Sequence, residues 1–268
     1  MHPTLSERTR HCLLLADPDA KIAALNTLHA DWQQGIVPLP DSTDSAQTIA
    51  APGRPEKPQL VPPQQVPRRS AGTPEGHAAL IHALAHIEFN AINLALDAAY
   101  RFRNLPRDYY SDWLQVAFEE AYHFRLLRAH LRNLGYDYGA FSAHDGLWEM
   151  AVKTAHDPLH RMALVPRLLE ARGLDASPAI ITKLRNIGDA RGAEILEIIL
   201  HDEIGHVRVG NCWYEYFCAQ RHHDPSEEFQ ILLKKYGASK PRPPFHKEAR
   251  RAAGFSDVEL QYLEFGRD

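Results

Sequence analysis

The amino-acid sequence predicts an all-α protein whose centre is a bundle of four long helices. Three observations carry this expectation. A capping side chain precedes a proline at Asp17-Pro18, Thr73-Pro74, Asp157-Pro158, Ser177-Pro178 and Asp224-Pro225. That pairing supplies an acceptor for the first free N–H groups and a residue already set at helical φ. Ser256-Asp257-Val258-Glu259 reads as a capping box. Runs of Val, Ile and Thr alternating with period two are absent, so no strand is expected. With 268 residues, 44% of them hydrophobic and 24% charged, the chain can bury a substantial core.

Taken in order, residues 1–35 suggest one or two short amphipathic helices. Residues 36–75 hold nine of the 19 prolines among small and polar residues, and are expected to be extended. A connection of that length is either a disordered linker or a strap laid over the domain. We read it as a strap, with Pro62-Pro63, Val61 and Val66 as apolar anchors. Helix A is expected over 74–102, and helix B over 106–134 with Gly135 ending it. Helix C should occupy 147–172, broken at Asp157-Pro158, kinked near Pro166 and stopped by Gly173. Helix D should span 178–221, ~65 Å if unbroken, with Gly188 and Gly192 as its interruption. Two or three short helices then close the chain. The expected organisation is an N-terminal helical arm and proline-rich strap (1–73), the four-helix bundle (74–222) and a C-terminal helical extension (223–268).

Composition argues against several function classes. The net charge of −4 gives no global basic field to recruit nucleic acid. The apolar runs read as too short for a membrane span, and the N-terminus, with Glu7, Arg8 and Arg10, does not read as a secretory signal. Cys12, Cys212 and Cys218 are too scattered for a disulfide framework. The expected location is cytoplasmic. Sixteen histidines are the compositional oddity, and their positions decide what they mean.

Helix B contains Glu119-Glu120-Ala121-Tyr122-His123 and helix D contains Asp202-Glu203-Ile204-Gly205-His206. At 100° per residue each Glu and the His three positions on lie ~60° apart on one face, so a single helix can offer an oxygen and an imidazole to the same ion. One Glu-x-x-His pair means little. Here the chain has only three acidic doublets ending in Glu, and two are followed by His at the required place. The other helices supply partners in register. Glu88 precedes Glu120 by 32 residues, and Glu170 precedes Glu203 by 33. This is the pattern of a carboxylate-bridged dimetal centre in a four-helix bundle. Two divalent cations would cancel four carboxylates whose burial would otherwise cost several kcal/mol each. Oxygen and nitrogen ligands without thiolate suit iron or manganese, and admit zinc. Glu119 and Asp202, one turn before each His, are placed to orient a liganding imidazole.

The layout Glu88, Glu119-Glu120-x-x-His123, Glu170, Asp202-Glu203-x-x-His206 resembles the ferritin-like diiron carboxylate superfamily. Four stretches resemble, more narrowly, a bacterial ferritin-like family of unknown function. They are His86-Ile87-Glu88, His144-Asp145-Gly146-Leu147-Trp148-Glu149-Met150, Val165-Pro166-Arg167-Leu168-Leu169-Glu170-Ala171-Arg172-Gly173-Leu174-Asp175 and His201-Asp202-Glu203-Ile204-Gly205-His206. The resemblance implies a ferritin-like fold and the six metal ligands Glu88, Glu120, His123, Glu170, Glu203 and His206, and it implies no substrate. Members of the superfamily include hydroxylases, a tRNA-modifying hydroxylase, desaturases, ribonucleotide reductase small chains and ferritins, so function does not follow from fold.

The functional expectation is a diiron oxidoreductase that activates dioxygen to oxidise or hydroxylate a small-molecule or modified-nucleoside substrate, with an electron donor as partner. Its alternatives are an iron-binding ferroxidase and a helical scaffold with a structural metal. Glu120 and Glu203 are expected to bridge the metals. His82 and His86 are expected to be structural, since His86 lies ~200° from Glu88 around the helix. Tyr122 is expected to pack, as are Trp213, Tyr214, Tyr216 and Phe217. Gly205 leaves a notch that either admits a small molecule or allows close helix packing. The basic residues over 234–251 lack an interleaved aromatic platform beyond Tyr236 and Phe245, so nucleic acid is not the expected partner.

Overall fold

In the computed structural model, residues 3–39 and 46–265 are described. Among them the chain is all-helical, with a single isolated parallel bridge between Leu60 and Ala143. It divides into two compact units, Met1–Val152 and Lys153–Asp268.

The first unit is organised around α3 (Pro74–Arg101), packed on α4 (Arg107–Asn133) and on the first of two short N-terminal helices, α1 (Leu5–Leu14) and α2 (Pro18–Gln33). The caps fall where expected. Asp17 accepts from Ala20 N–H and Thr73 from Gly76 N–H, each before a proline in the first turn. Pro106 is the residue before α4 and not its first helical residue. At the other end of α4, Gly135 takes φ +85° while its N–H and that of Tyr136 donate to Arg132 O and Leu131 O. Only a residue at ease in the left-handed region closes a helix in this way.

α3 is buried on almost every side from Glu88 to Tyr100, which calls for partners on several faces. Lys21 supplies one tie. Its buried ammonium donates to the carbonyls of Cys12 (3.0 Å) and Leu13 (2.8 Å) at the end of α1, and to Asn93 Oδ1 on α3 (2.8 Å). Carbonyls left open at a helix C-terminus are a natural seat for a cation. By length and hydropathy α3 reaches the threshold for a membrane span, contrary to the expectation from apolar runs. Yet 72% of that apolar window is buried inside the protein, and the helix also buries the polar residues Glu88, Asn90, Asn93 and Asp97.

The proline-rich segment lies against this unit. Gly53 N–H donates to Leu13 O, Trp148 Nε1 to Ala50 O, and Arg54 pairs with Asp145 at 2.7 Å, while 59–61 and Ala143 exchange backbone hydrogen bonds. The strap reading holds for its described part, and residues 40–45 of it lie outside the described residues. Its anchors differ from those expected. Ile49, Pro52 and Pro58 are buried, whereas Pro62 and Pro63 are exposed and Val61 and Val66 half-buried. Apolarity selected the latter, but the side that faces the protein is fixed by pairing with 143 and by Gly53, whose Cβ would collide with Leu14 O at 2.2 Å.

After α5 (Gly146–Lys153), the second unit begins with α6 (Pro158–Leu164), capped by Asp157 as expected. The kink at Pro166 takes the form of a π-helical segment, Val165–Glu170, continuous with α7 (Ala171–Asn186). Wider winding accommodates a proline that cannot donate and crowds the preceding turn. Two expectations are corrected here. Gly173 does not stop the helix, and Ser177-Pro178 does not start one, because α7 runs through both. Ala171 and Leu174 are fully buried in a cluster with Val207, Ala253 and Leu260, and that burial outweighs the local cost of Gly173 and Pro178. The true boundary is Gly188 at φ +85°, with Asp189 N–H and Gly188 N–H returning to Leu184 O and Arg185 O. Asp189 then caps α8 (Ala190–Gln220) through Gly192 N–H.

Three short helices close the unit, α9 (Pro225–Lys235), α10 (Lys247–Ala252) and α11 (Asp257–Phe265), with Asp224 and the Ser256–Glu259 box as caps for the first and last. Part of the basic run is consumed internally. Arg250 is buried against Asp175 (2.6 Å), Lys247 pairs with Glu264, and Arg251 with Asp257. Trp213, Tyr214 and Phe217 are buried, as expected.

One close approach sets the path of the π segment. A Cβ on Gly210 of α8 would lie 2.3 Å from Pro166 Cβ, whereas one on Gly205 would meet nothing within 4 Å. Gly210→Ala should therefore destabilise the protein by roughly 1–3 kcal/mol, while Gly205→Ala should be neutral or stabilising by up to about 1 kcal/mol. Urea denaturation of the two variants distinguishes the cases.

His82 gives a pH prediction. Its ring is buried and its Nε2 accepts the N–H of Gly139 at 3.0 Å, which requires the neutral imidazole. Burial, with His86 nearby, pushes its pKa down to about 4. The folded state then binds fewer protons than the unfolded chain between about pH 6.5 and 4. This contribution is full above 6.5 and is lost as pH falls through 4. His82→Gln should lose less stability than the wild type between pH 7 and pH 4.5, measured by denaturant melts at each pH.

Candidate metal centre

Three of the six residues singled out by spacing meet inside the first unit. Glu88 comes from the middle of α3, and Glu120 and His123 from one face of α4. One ligand atom from each lies within 4.8 Å of the others, and all three side chains are buried. His123 Nδ1 stands 3.3 Å from Glu88 Oε2 and 3.6 Å from Glu120 Oε2.

The electrostatics are those of a buried, coupled carboxyl–imidazole cluster. Burial and the neighbouring Glu120 push the Glu88 carboxyl up to about 8, against the pull of His123. Burial alone would depress His123, but Glu120 and Glu88 together raise it far above the ordinary histidine range. Glu88 Oε2 is buried without a hydrogen bond of good geometry. Such an atom costs about 1–3 kcal/mol, more when charged, and a cation is the simplest partner for it. Two carboxylates and an imidazole with the spacing found here could hold a metal ion.

The surroundings hold these side chains in place. His86, two residues before Glu88 and on another face, bonds Tyr138 OH (2.9 Å) and the carbonyl of His144 (3.0 Å). With His82 it fastens the 137–144 turn to α3. Arg128 and Arg132 brace the same turn through Asp137 at 2.7 and 3.0 Å. Phe89 and Phe124, each next to a ligand in sequence, pack against each other and Tyr138. Glu119 accepts from Gln115 Nε2 at 2.7 Å, and Gln115 in turn contacts His29 of α2 at 2.9 Å. Spacing alone did not reveal this chain. Tyr122 is 45% exposed, which corrects the expectation that it packs. It lies on the helix face opposite the buried one.

In the second unit, Glu203 and His206 lie one turn apart on α8, with His206 Nδ1 3.8 Å from Glu203 Oε2. Both are buried, and Asp202 beside them is half-buried. Glu170 ends the π segment and is half-buried. The sequence signal for the π segment was Pro166, and its partner Gly210 went unnoticed because a helical glycine has no distinctive spacing.

These features define an all-helical protein carrying buried carboxylate–imidazole pairs on two of its long helices. Residues 14–261 match the profile of the DUF455 family, described as a protein of unknown function, and the chain belongs to that family. It is similar to an uncharacterised protein of Haemophilus influenzae, 46% identical over 266 residues, covering 96% of this chain and 92% of that one. No solved structure matches.

The Glu88 carboxyl makes the metal-free protein sensitive to pH in a defined direction. Its raised pKa means that the folded state binds more protons than the unfolded chain between about pH 4.5 and 8. This contribution is present below 4.5 and is lost as pH rises through 8. The metal-free wild type should gain stability relative to Glu88→Gln when the pH is lowered from 8 to 6. Adding Mn²⁺ or Zn²⁺ at pH 8 should raise the melting temperature of the wild type and leave that of Glu88→Gln nearly unchanged.

Proposed function

We propose that this protein is a metal-dependent oxidoreductase with a diiron centre in a ferritin-like four-helix bundle. Its ligands would be Glu88, Glu120, His123, Glu170, Glu203 and His206. The observation that supports it most is the convergence of Glu88, Glu120 and His123, with Glu88 Oε2 buried and without a hydrogen bond of good geometry. The matched offsets, Glu88 to Glu120 and Glu170 to Glu203, support a second set of like composition.

When bound, the two irons would supply the redox chemistry that activates dioxygen for oxidation of an organic substrate. The chain's own residues do the rest. Four carboxylates neutralise the charge of two divalent ions, and the imidazoles add none. Glu119 and Asp202, each one turn before a liganding histidine, fix ring orientation. Phe89, Phe124 and Leu127 keep the surroundings of the first set dry, which strengthens every electrostatic contact there. Gly205 leaves open space beside the second set, where a side chain would meet nothing within 4 Å.

Elemental analysis of untagged protein, purified without chelators, tests this reading. The expected result is about two irons per chain, lost in His123→Ala and in His206→Ala, with dioxygen consumed by the reduced wild type and not by either variant. No metal uptake after anaerobic Fe²⁺ loading would overturn the proposal, as would bound iron that leaves dioxygen untouched with every donor tried.

A further inference from the structure

The second unit holds a histidine cluster that the carboxylate register does not use. His156-Asp157-Pro158-Leu159-His160 crosses the start of α6. Asp157 caps that helix by accepting Leu159 N–H at 2.8 Å, with Pro158 in the first turn. The cap turns the chain so that His156, just before it, and His160, just inside the helix, bring their rings edge to face with centroids 5.2 Å apart. α9 packs on α6 and is followed by Tyr236, whose ring also stands edge to face with His160, at 5.6 Å.

Three donor atoms meet there. Tyr236 Oη is 2.8 Å from His160 Nδ1 and 3.5 Å from His156 Nε2. A transition ion held at ~2.0–2.1 Å by nitrogen and oxygen sets neighbouring ligand atoms roughly 2.9–3.4 Å apart, from octahedral to tetrahedral geometry. The two observed spacings bracket that range, so small side-chain movements suffice. His160 is also prepared for the role. Its Nε2 faces Asp157 Oδ2 at 3.7 Å, long for a hydrogen bond but on the side that favours the ring proton there and leaves Nδ1 as the lone-pair donor. A carboxylate behind a liganding imidazole is a recurring arrangement in metal sites. Asp157 is in turn fixed by Arg221, which donates to both its oxygens at 2.8 Å. His160 is buried, whereas His156 is exposed and Tyr236 half-buried, so an ion approaches from solvent on the His156 side.

We propose that His156 Nε2, His160 Nδ1 and the Tyr236 phenolate form a surface site for one divalent transition ion, with water completing its coordination. Nitrogen and oxygen ligands without thiolate suit copper(II), which also stands highest in affinity among the divalent first-row ions. Binding releases the phenol proton to water. Two cations stand close by. Arg221 is matched by Asp157, and Lys235, with Nζ 5.8 Å from the Tyr236 centroid, is exposed and free to turn into water. The site shares no residue with the six ligands proposed above, so the failure of one leaves the other untouched.

Cu²⁺ is the probe, titrated into the untagged full chain and followed by visible absorption and electron paramagnetic resonance. A phenolate-to-copper charge-transfer band should grow and saturate, with imidazole nitrogen coupling in the resonance spectrum. The carboxylate set of the first unit offers no phenolate among its three ligand atoms, so the band reports this site alone. Tyr236→Phe should abolish the band. His156→Ala, at an exposed position, should weaken copper at this site at least about tenfold, and Asp157→Asn by about tenfold through loss of the charge behind His160. Lys235→Gln should tighten it about threefold. Glu88→Gln should change neither band nor affinity. Absence of the band in the wild type at saturating copper would overturn the proposal. A band that survives Tyr236→Phe, or copper affinity indifferent to His156→Ala, would do so as well.

Discussion

Burying two carboxylates against one imidazole between α3 and α4 is the constraint from which much of the first unit follows. Glu88, Glu120 and His123 are each at most 3% exposed. Such a cluster is tolerable only where charge is balanced and geometry is fixed. Both requirements fall on the helix pair that carries it. α3 is enclosed by α4 and α1, the Lys21 ammonium ties α1 and α2 to it, and the 137–144 turn is fastened by His82, His86 and Arg128. These contacts leave the ligand-bearing stretches little freedom to relax away from one another.

The second unit solves a different local problem. Pro166 cannot continue an α-helix without strain, and the chain answers with a π-helical turn that ends at Glu170 and is seated against Gly210. The same turn carries Arg167 inward, where three aromatic rings, Asn211 and Glu259 surround it. One departure from regular winding therefore sets the positions of both Arg167 and Glu170. π turns recur at functional sites for this reason: the extra residue redirects the helix surface without ending the helix.

The long helices and their starts were legible in the sequence because capping is local. Thr73, Asp157 and Asp224 act within three residues of themselves. The carboxylate–imidazole pairs were legible for a related reason. Glu120 with His123 and Glu203 with His206 share a helix, and helix periodicity alone puts each pair on one face. Where the reading failed, a competing tertiary term had won. Ser177-Pro178 has every local mark of a helix start, yet burial of Ala171 and Leu174 carries α7 through it.

The sequence by itself therefore determined the helical class and most of the helix starts, since these rest on interactions between residues close along the chain. Tertiary structure decided which residues anchor the strap, that Tyr122 faces outward, that Gly210 must be bare, and that Arg167 is buried. Each of these depends on what a distant segment places opposite the residue. Neither periodicity nor capping carries information about contacts such as Pro166 with Gly210 or Arg167 with Glu259, 44 and 92 residues apart.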